Sequence, residues 1–406
     1  MKLAVWISRL LLGAVFIISG VSKMVDPIGF AIKISAYLAA WDLTGTFAPG
    51  LVLMGGCILS TFEFVTGVLL ATGSLRRSSA WAALLLMCVM LPLTAYIALA
   101  NPVDDCGCFG DFLIISNLAT FLKNILLFAL ALFLVRYNRR AKPLISPWIQ
   151  WVEITAAILY MIVLALIGYH EQPLLDFRAY PVGEPLTATD DAEALYVYTR
   201  NGIDQTFSDT ELPDDDSGWE FKEVRTVRPA SAKLLTLLDP ATGLDVTDSV
   251  LEPRPGQMLL LLPFPSEAGA AGSYTANELH AAMELTYGPG SFAAITIADS
   301  AAVDRALDVM MATYPVYYAD QKAIMAVARG SMAVVYLRNG IVAWKRTLSS
   351  INLDKLASGD PAEVYATNGP KWFRRITAGY LIANLIFYLI GLLPRLFRLK
   401  RRKQAK

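Results

Sequence analysis

The chain has 406 residues, 55% of them hydrophobic and 17% charged, with a net charge of zero and a mean hydropathy of +0.47. A water-soluble domain carries about 25% charged residues, so a purely soluble protein is excluded. No basic stripe interleaved with aromatics appears outside the membrane flanks, which speaks against a nucleic-acid surface, and two distant histidines with no zinc-spaced cysteines speak against a metal centre.

In chain order, six apolar runs have the length that crosses a hydrocarbon core of about 30 Å: residues 4–22, 48–72, 79–98, 113–135, 150–169 and 376–394. Arg9 interrupts the first and Lys23 closes it, with no small-residue cleavage site after it, so the run is expected to be a retained helix and not a signal peptide. Residues 26–46 are amphipathic, with Phe30, Tyr37 and Trp41, and are expected to lie along an interface. Lys2, Arg76, Arg77, Arg136, Arg139, Arg140 and the basic tail from Arg395 fall on one side. By the positive-inside rule that side is cytoplasmic. The loop at residues 101–113 and the region 171–368 then face outward, and only Lys371, Arg374 and Arg375 argue back.

From residue 171 the composition turns water-soluble. Strands are predicted at 258–262, 292–297, 316–318, 332–337 and 341–345, and helices at 275–285, 302–312, 322–327 and 352–357. Asn339 and Gly340 read as a two-residue hairpin turn, and a further strand at 194–199 is followed by its own Asn201-Gly202 turn.

Several residues are candidates for chemistry. Cys106 and Cys108 share the outward loop between spans three and four, with Gly107 between them able to bend and bring the sulfurs together. A small strained ring is easily reduced. Asp104, Asp105 and Asp111 oppose a thiolate there, whereas the N-terminus of the next helix favours one. An exchanging redox pair, a structural disulfide and two unpaired thiols all remain open. Cys57 and Cys88 lie at similar depth in spans two and three, either as a relay toward a quinone or as small buried side chains. Glu63 and Lys123 fall near the middle of spans two and four, where a lone charge is costly. An ion pair between them, helped by Asn124 and Thr66, is expected, serving either as an interhelical lock or as a polar pocket. Arg9 is expected to snorkel toward the interface.

Arg9, Gly13, Ser19-Gly20, Lys23, Asp26-Pro27, Glu63, the string Asp105-Cys106-Gly107-Cys108-Phe109-Gly110-Asp111, Asn117, Thr120, Lys123 and Asn124 together make residues 1–140 resemble the DoxX-like membrane proteins, in the branch related to the methylamine-utilisation protein MauE. Residues 250–357 resemble a thioredoxin-type fold. The resemblance implies a four-helix redox-associated membrane bundle, similar in architecture to vitamin K epoxide reductase, over residues 1–140. A fifth span with linkers (141–173), an α/β thioredoxin-like extracytoplasmic domain (174–366) and a last span with a basic tail (371–406) complete the layout. The turn at 264–272, where an active thioredoxin has its cysteines, contains none, so that domain is expected to bind a periplasmic partner rather than to exchange disulfides. The expected whole is a bacterial inner-membrane protein supporting disulfide formation in exported proteins, with quinone as the candidate cofactor. A non-catalytic scaffold is the alternative, and a small-solute transporter has only the buried charges in its favour.

Overall fold

The computed structural model describes all residues except 44, 101–106, 111, 114, 187–192, 201–202, 208–212, 214–218, 228–234, 268, 367–368 and 405–406. The chain divides into two compact units, Met1–Phe177 with Thr367–Lys406, and Arg178–Ala366.

Among the described residues, six helices are long and apolar enough to cross a membrane. The chain opens with α1 (Lys2–Val25), which spans about 36 Å at 1.5 Å per residue. Asp26 then caps α2 (Pro27–Ala40): its carboxylate accepts from Gly29 N at 2.8 Å, and Pro27 at the first helical position needs no acceptor. Next come α3 (Pro49–Thr72), ended by Gly73 at φ 70°, and α4 (Arg76–Ala100). The fourth predicted span, α5 (Asn117–Tyr137), starts later than expected because Ser116 is its N-cap, accepting from Ala119 N. Then α6 (Gln150–His170) follows, and after the second unit the terminal helix, Gly369–Gln404.

The tightest pair is α1 with α3. A Cβ on Gly13 would stand 2.9 Å from Gly67 O, and one on Gly20 would stand 2.7 Å from Ser60 O. Gly13 and Gly20 lie seven residues apart on α1, and Ser60 and Gly67 seven apart on α3, so two seams of small residues bring the backbones together. Because α3 projects beyond the end of α1, its first turns pack on α2 instead, with Gly56 against Phe30 and Ile34.

The second unit holds two sheets. The smaller is β1 (Glu193–Arg200), β2 (Ile203–Phe207) and β3 (Glu220–Val227), antiparallel in the order β2-β1-β3. Arg200 pairs with Ile203, and the Asn201-Gly202 turn itself lies outside the described residues. After the single turn α7 (Thr247–Val250) the chain continues as β4 (Gln257–Leu262), α8 (Ala270–Tyr287), β5 (Phe292–Thr296), α9 (Ser300–Met310), β6 (Val316–Tyr318), α10 (Gln321–Val327), β7 (Ala333–Arg338) and β8 (Ile341–Thr347). The larger sheet has the order β6-β5-β4-β7-β8, with β4, β5 and β6 parallel and β7 and β8 antiparallel.

Both central strands are buried along their whole length, as their unbroken apolar runs require. Leu259, Leu261, Ile295 and Val335 pack on one face with Ile324 and Val327 of α10. Met258, Leu260, Phe292 and Trp344 pack on the other with Leu279 and Met283 of α8. Asn339 and Gly340 take φ 53° and 76°, the hairpin geometry their residue types favour.

The glycine seam is checked by overpacking. Gly20→Val is expected to cost about 1–3 kcal/mol, read as a lower unfolding temperature of the detergent-solubilised protein by tryptophan fluorescence. The same substitution at Gly55, which faces open space, should leave that temperature close to the wild type.

Candidate functional site

The site begins where α1 ends. Glu63 lies between the Gly20–Ser60 and Gly13–Gly67 crossings, and the long side chain of Lys23 reaches back to it from the last turn of α1. Lys23 Nζ reaches both of its carboxylate oxygens at 2.8 Å, and the two side chains are 2% and 4% exposed. This corrects the expected Glu63–Lys123 pair. Lys123 Nζ instead lies 4.3 Å from the ring centroid of Phe109, and Asn124 Nδ2 donates to Thr94 Oγ1 of α4 at 3.2 Å.

One turn before Lys23 on the same helical face is Ser19. Its hydroxyl lies 2.9 Å from Glu63 Oε2 and 2.7 Å from the carbonyl oxygen of Cys108. A serine carries one proton, so the two acceptors share it. Ser19 thereby ties the cysteine loop to the buried ion pair. Cys108 and Phe109 are themselves buried. Gly107 adopts φ 62°, and a Cβ there would meet the side chain of Lys33.

Cys108 is disulfide-bonded, and Cys106 lies outside the described residues. Beside Cys108 opens a cavity of about 360 Å³, walled by Lys23, Phe30, Ile34, Trp41 and Gly107 among others. Lys23 Nζ stands 5.0 Å from the centroid of Phe30. A disulfide, a buried cation and an apolar recess therefore converge at one end of the bundle.

The remaining candidates go elsewhere. Cys57 and Cys88 are both free: Cys57 is half-buried against the cluster formed by α1, α3 and α6, and Cys88 is exposed on α4, so they do not form a second pair. Arg9 does not snorkel. It is fully buried and donates to Asn138 Oδ1 at 2.5 Å, Asn138 O at 2.7 Å and Ala141 O at 3.2 Å. These carbonyls follow the end of α5, where unpaired acceptors and the helix dipole attract a cation. Among the described residues no cluster of histidine, cysteine and carboxylate side chains is arranged to hold a metal.

Sequence reasoning missed Lys23 and Ser19 as partners of Glu63. Their four-residue spacing places them on one face, and that was a usable signal.

If the ion pair is the anchor described, Lys23→Met alone leaves a buried carboxylate unpaired and should cost about 3–5 kcal/mol, whereas Lys23→Met with Glu63→Leu should recover most of it. A double-mutant cycle on unfolding in detergent measures this, and two additive single effects would mean the groups are uncoupled.

Residues 1–137 match the family described as methylamine utilisation protein MauE, and residues 192–228, which contain the small sheet, match a domain of unknown function, DUF8463. No curated protein and no solved structure matches the chain. Ser19, Lys23, Glu63 and Cys108 all lie in the segment that is similar to MauE, and the six helices long and apolar enough to cross a membrane among the described residues make the chain a multi-pass membrane protein in contact with lipid.

Proposed function

We propose that this chain is a thiol-disulfide exchange protein of the bacterial inner membrane, supporting disulfide formation in exported proteins through Cys106 and Cys108. The observation that carries the reading is the buried Ser19–Glu63–Lys23 network, which holds the backbone of a disulfide-bonded Cys108 beside a cavity. A structural staple needs no such support.

The exchange balances as follows. A substrate thiolate attacks one sulfur of the Cys106–Cys108 disulfide and forms a mixed disulfide. The second substrate thiolate displaces it, leaving an oxidised substrate and a reduced pair that holds two electrons and two protons. A two-electron acceptor of the quinone class restores the disulfide.

The unit Arg178–Ala366 is the docking domain in this reading, and the charge bias of the flanks supports a periplasmic position for it. Its central parallel β4 and β5, flanked by antiparallel β7 and β8 with helices on both faces, support a thioredoxin-like assignment. All four cysteines lie at 57, 88, 106 and 108, so this domain has no thiol of its own. That observation also favours a second reading, a non-catalytic scaffold that holds a periplasmic protein.

Alkylation with a thiol mass tag in intact membranes separates the two readings. Exchange requires Cys106 and Cys108 to gain two tags after mild reductant and to lose them when quinone is added, with Cys57 and Cys88 constant. Should the pair never change state, and Cys106→Ser and Cys108→Ser support exported-protein oxidation as well as wild type, the scaffold reading replaces it.

A further inference from the structure

A larger cavity, about 640 Å³, lies between α1, α3, α6 and the terminal helix, within the usual size range of small-molecule sites. Its walls are almost wholly apolar and aromatic. Phe64, Tyr160 and Tyr380 form a ring cluster with centroid separations of 4.6–5.8 Å, and Tyr160 and Thr377 bond through their hydroxyls at 3.0 Å. At one end stands Glu153, on the first turn of α6, only 2% exposed.

Neither carboxylate oxygen of Glu153 has a hydrogen-bond partner among the described residues. The hydroxyls of Thr72 and Ser74 are its polar neighbours, and Thr72 Oγ1 itself bonds Val68 O at 2.9 Å and Ser74 Oγ at 3.0 Å. A bare buried acceptor destabilises the fold, which a structural role alone does not recover. The nearby Asn384 spends its amide on Tyr380 O at 2.9 Å, leaving another acceptor on the cavity wall. What the Glu153 carboxylate lacks is a donor in bonding geometry among the described residues.

We infer that this cavity binds a neutral amphiphile with an apolar tail and a hydroxyl head, the hydroxyl donating to Glu153. Membrane lipid supplies molecules of this class, and the apolar wall suits a hydrocarbon or isoprenoid tail. A neutral head is favoured over an ammonium because a second charge desolvated in an apolar cavity is expensive. Glu153 is remote from the buried ion pair, since Thr72 beside it lies nine residues along α3 from Glu63, about 14 Å, while Ser22 and Phe112 carry the opposite wall of the cavity up to the cysteine loop. Glu153 and the terminal helix also fall outside the segment that matches MauE.

The test uses full-length protein in detergent micelles and radiolabelled farnesol, a hydroxyl on an isoprenoid tail, against the alkane farnesane and farnesylamine. Saturable binding of one farnesol per chain is expected. Glu153→Leu should weaken it about tenfold, the loss of one buried hydrogen bond, and Glu153→Gln should largely preserve it. Leu381→Trp, which fills the cavity and keeps Glu153, should abolish it.

A second readout separates binding from structure. Without ligand, Glu153→Leu should raise the unfolding temperature, because it removes an unsatisfied polar group, whereas a structural carboxylate would lower it. Farnesane bound as tightly as farnesol, unchanged farnesol binding in Glu153→Leu, or saturable binding surviving Leu381→Trp would overturn the proposal. Tighter binding of farnesylamine than of farnesol would overturn the neutral head.

Discussion

The contact between Lys23 and Glu63 is the constraint on which the membrane unit depends. Two charges taken out of water recover their hydration only through close, well-aligned partners. Here the ammonium meets both carboxylate oxygens at 2.8 Å, and Ser19 supplies the next donor. That geometry is available only because the Gly13–Gly67 and Gly20–Ser60 crossings bring the backbones of α1 and α3 together. Small residues, register and ion pair are therefore one device: the seam permits the approach, and the pair fixes which turn faces which. The cysteine loop inherits this precision, since Ser19 holds the carbonyl of Cys108 from the same helix.

Helix α1 places a cation near each of its ends, and the two act differently. Lys23 neutralises a carboxylate, whereas Arg9 meets no acid and satisfies carbonyls that the end of α5 leaves open. A guanidinium suits the second task, because its planar fork can serve several acceptors at once. Asn138 extends the arrangement, accepting from Arg9 and donating to Arg76 O at 2.5 Å, so the ends of α1, α4 and α5 are joined by one polar network. The hydrophobic cluster of α1, α4 and α5, including Leu12, Phe16, Leu86 and Leu134, fills the space between these two polar ends.

Much of the architecture was legible in the sequence because period and length survive in a single chain. The membrane helices follow from apolar runs, α2 from its Asp-Pro start, and β4 to β8 from short apolar segments between turn residues. Pairing was less legible. Counting from the ends of the spans matched Glu63 with Lys123 as the charge at similar depth, since nothing in the sequence reveals that Lys23 reaches back from the last turn of α1 to take its place. The same blind spot assigned Cys57 and Cys88 to one relay: equal depth was correct arithmetic, but helix rotation turns Cys57 toward the cluster with α6 and leaves Cys88 exposed. Depth can be counted along a chain, whereas azimuth and register arise from side chains on other helices.

The bundle holds two buried carboxylates in opposite states, and the contrast shows what each is for. Glu63 has a cation and a hydroxyl arranged around it, and its removal would leave Lys23 stranded. Glu153 is equally buried, but neither oxygen meets a donor in bonding geometry among the described residues, and the wall it faces is aromatic. A fully bonded acid inside a membrane bundle holds helices together. An unbonded one facing a cavity is a cost to the fold that folding itself does not offset, and a ligand that supplies the missing donor is the physical reason for it to be there.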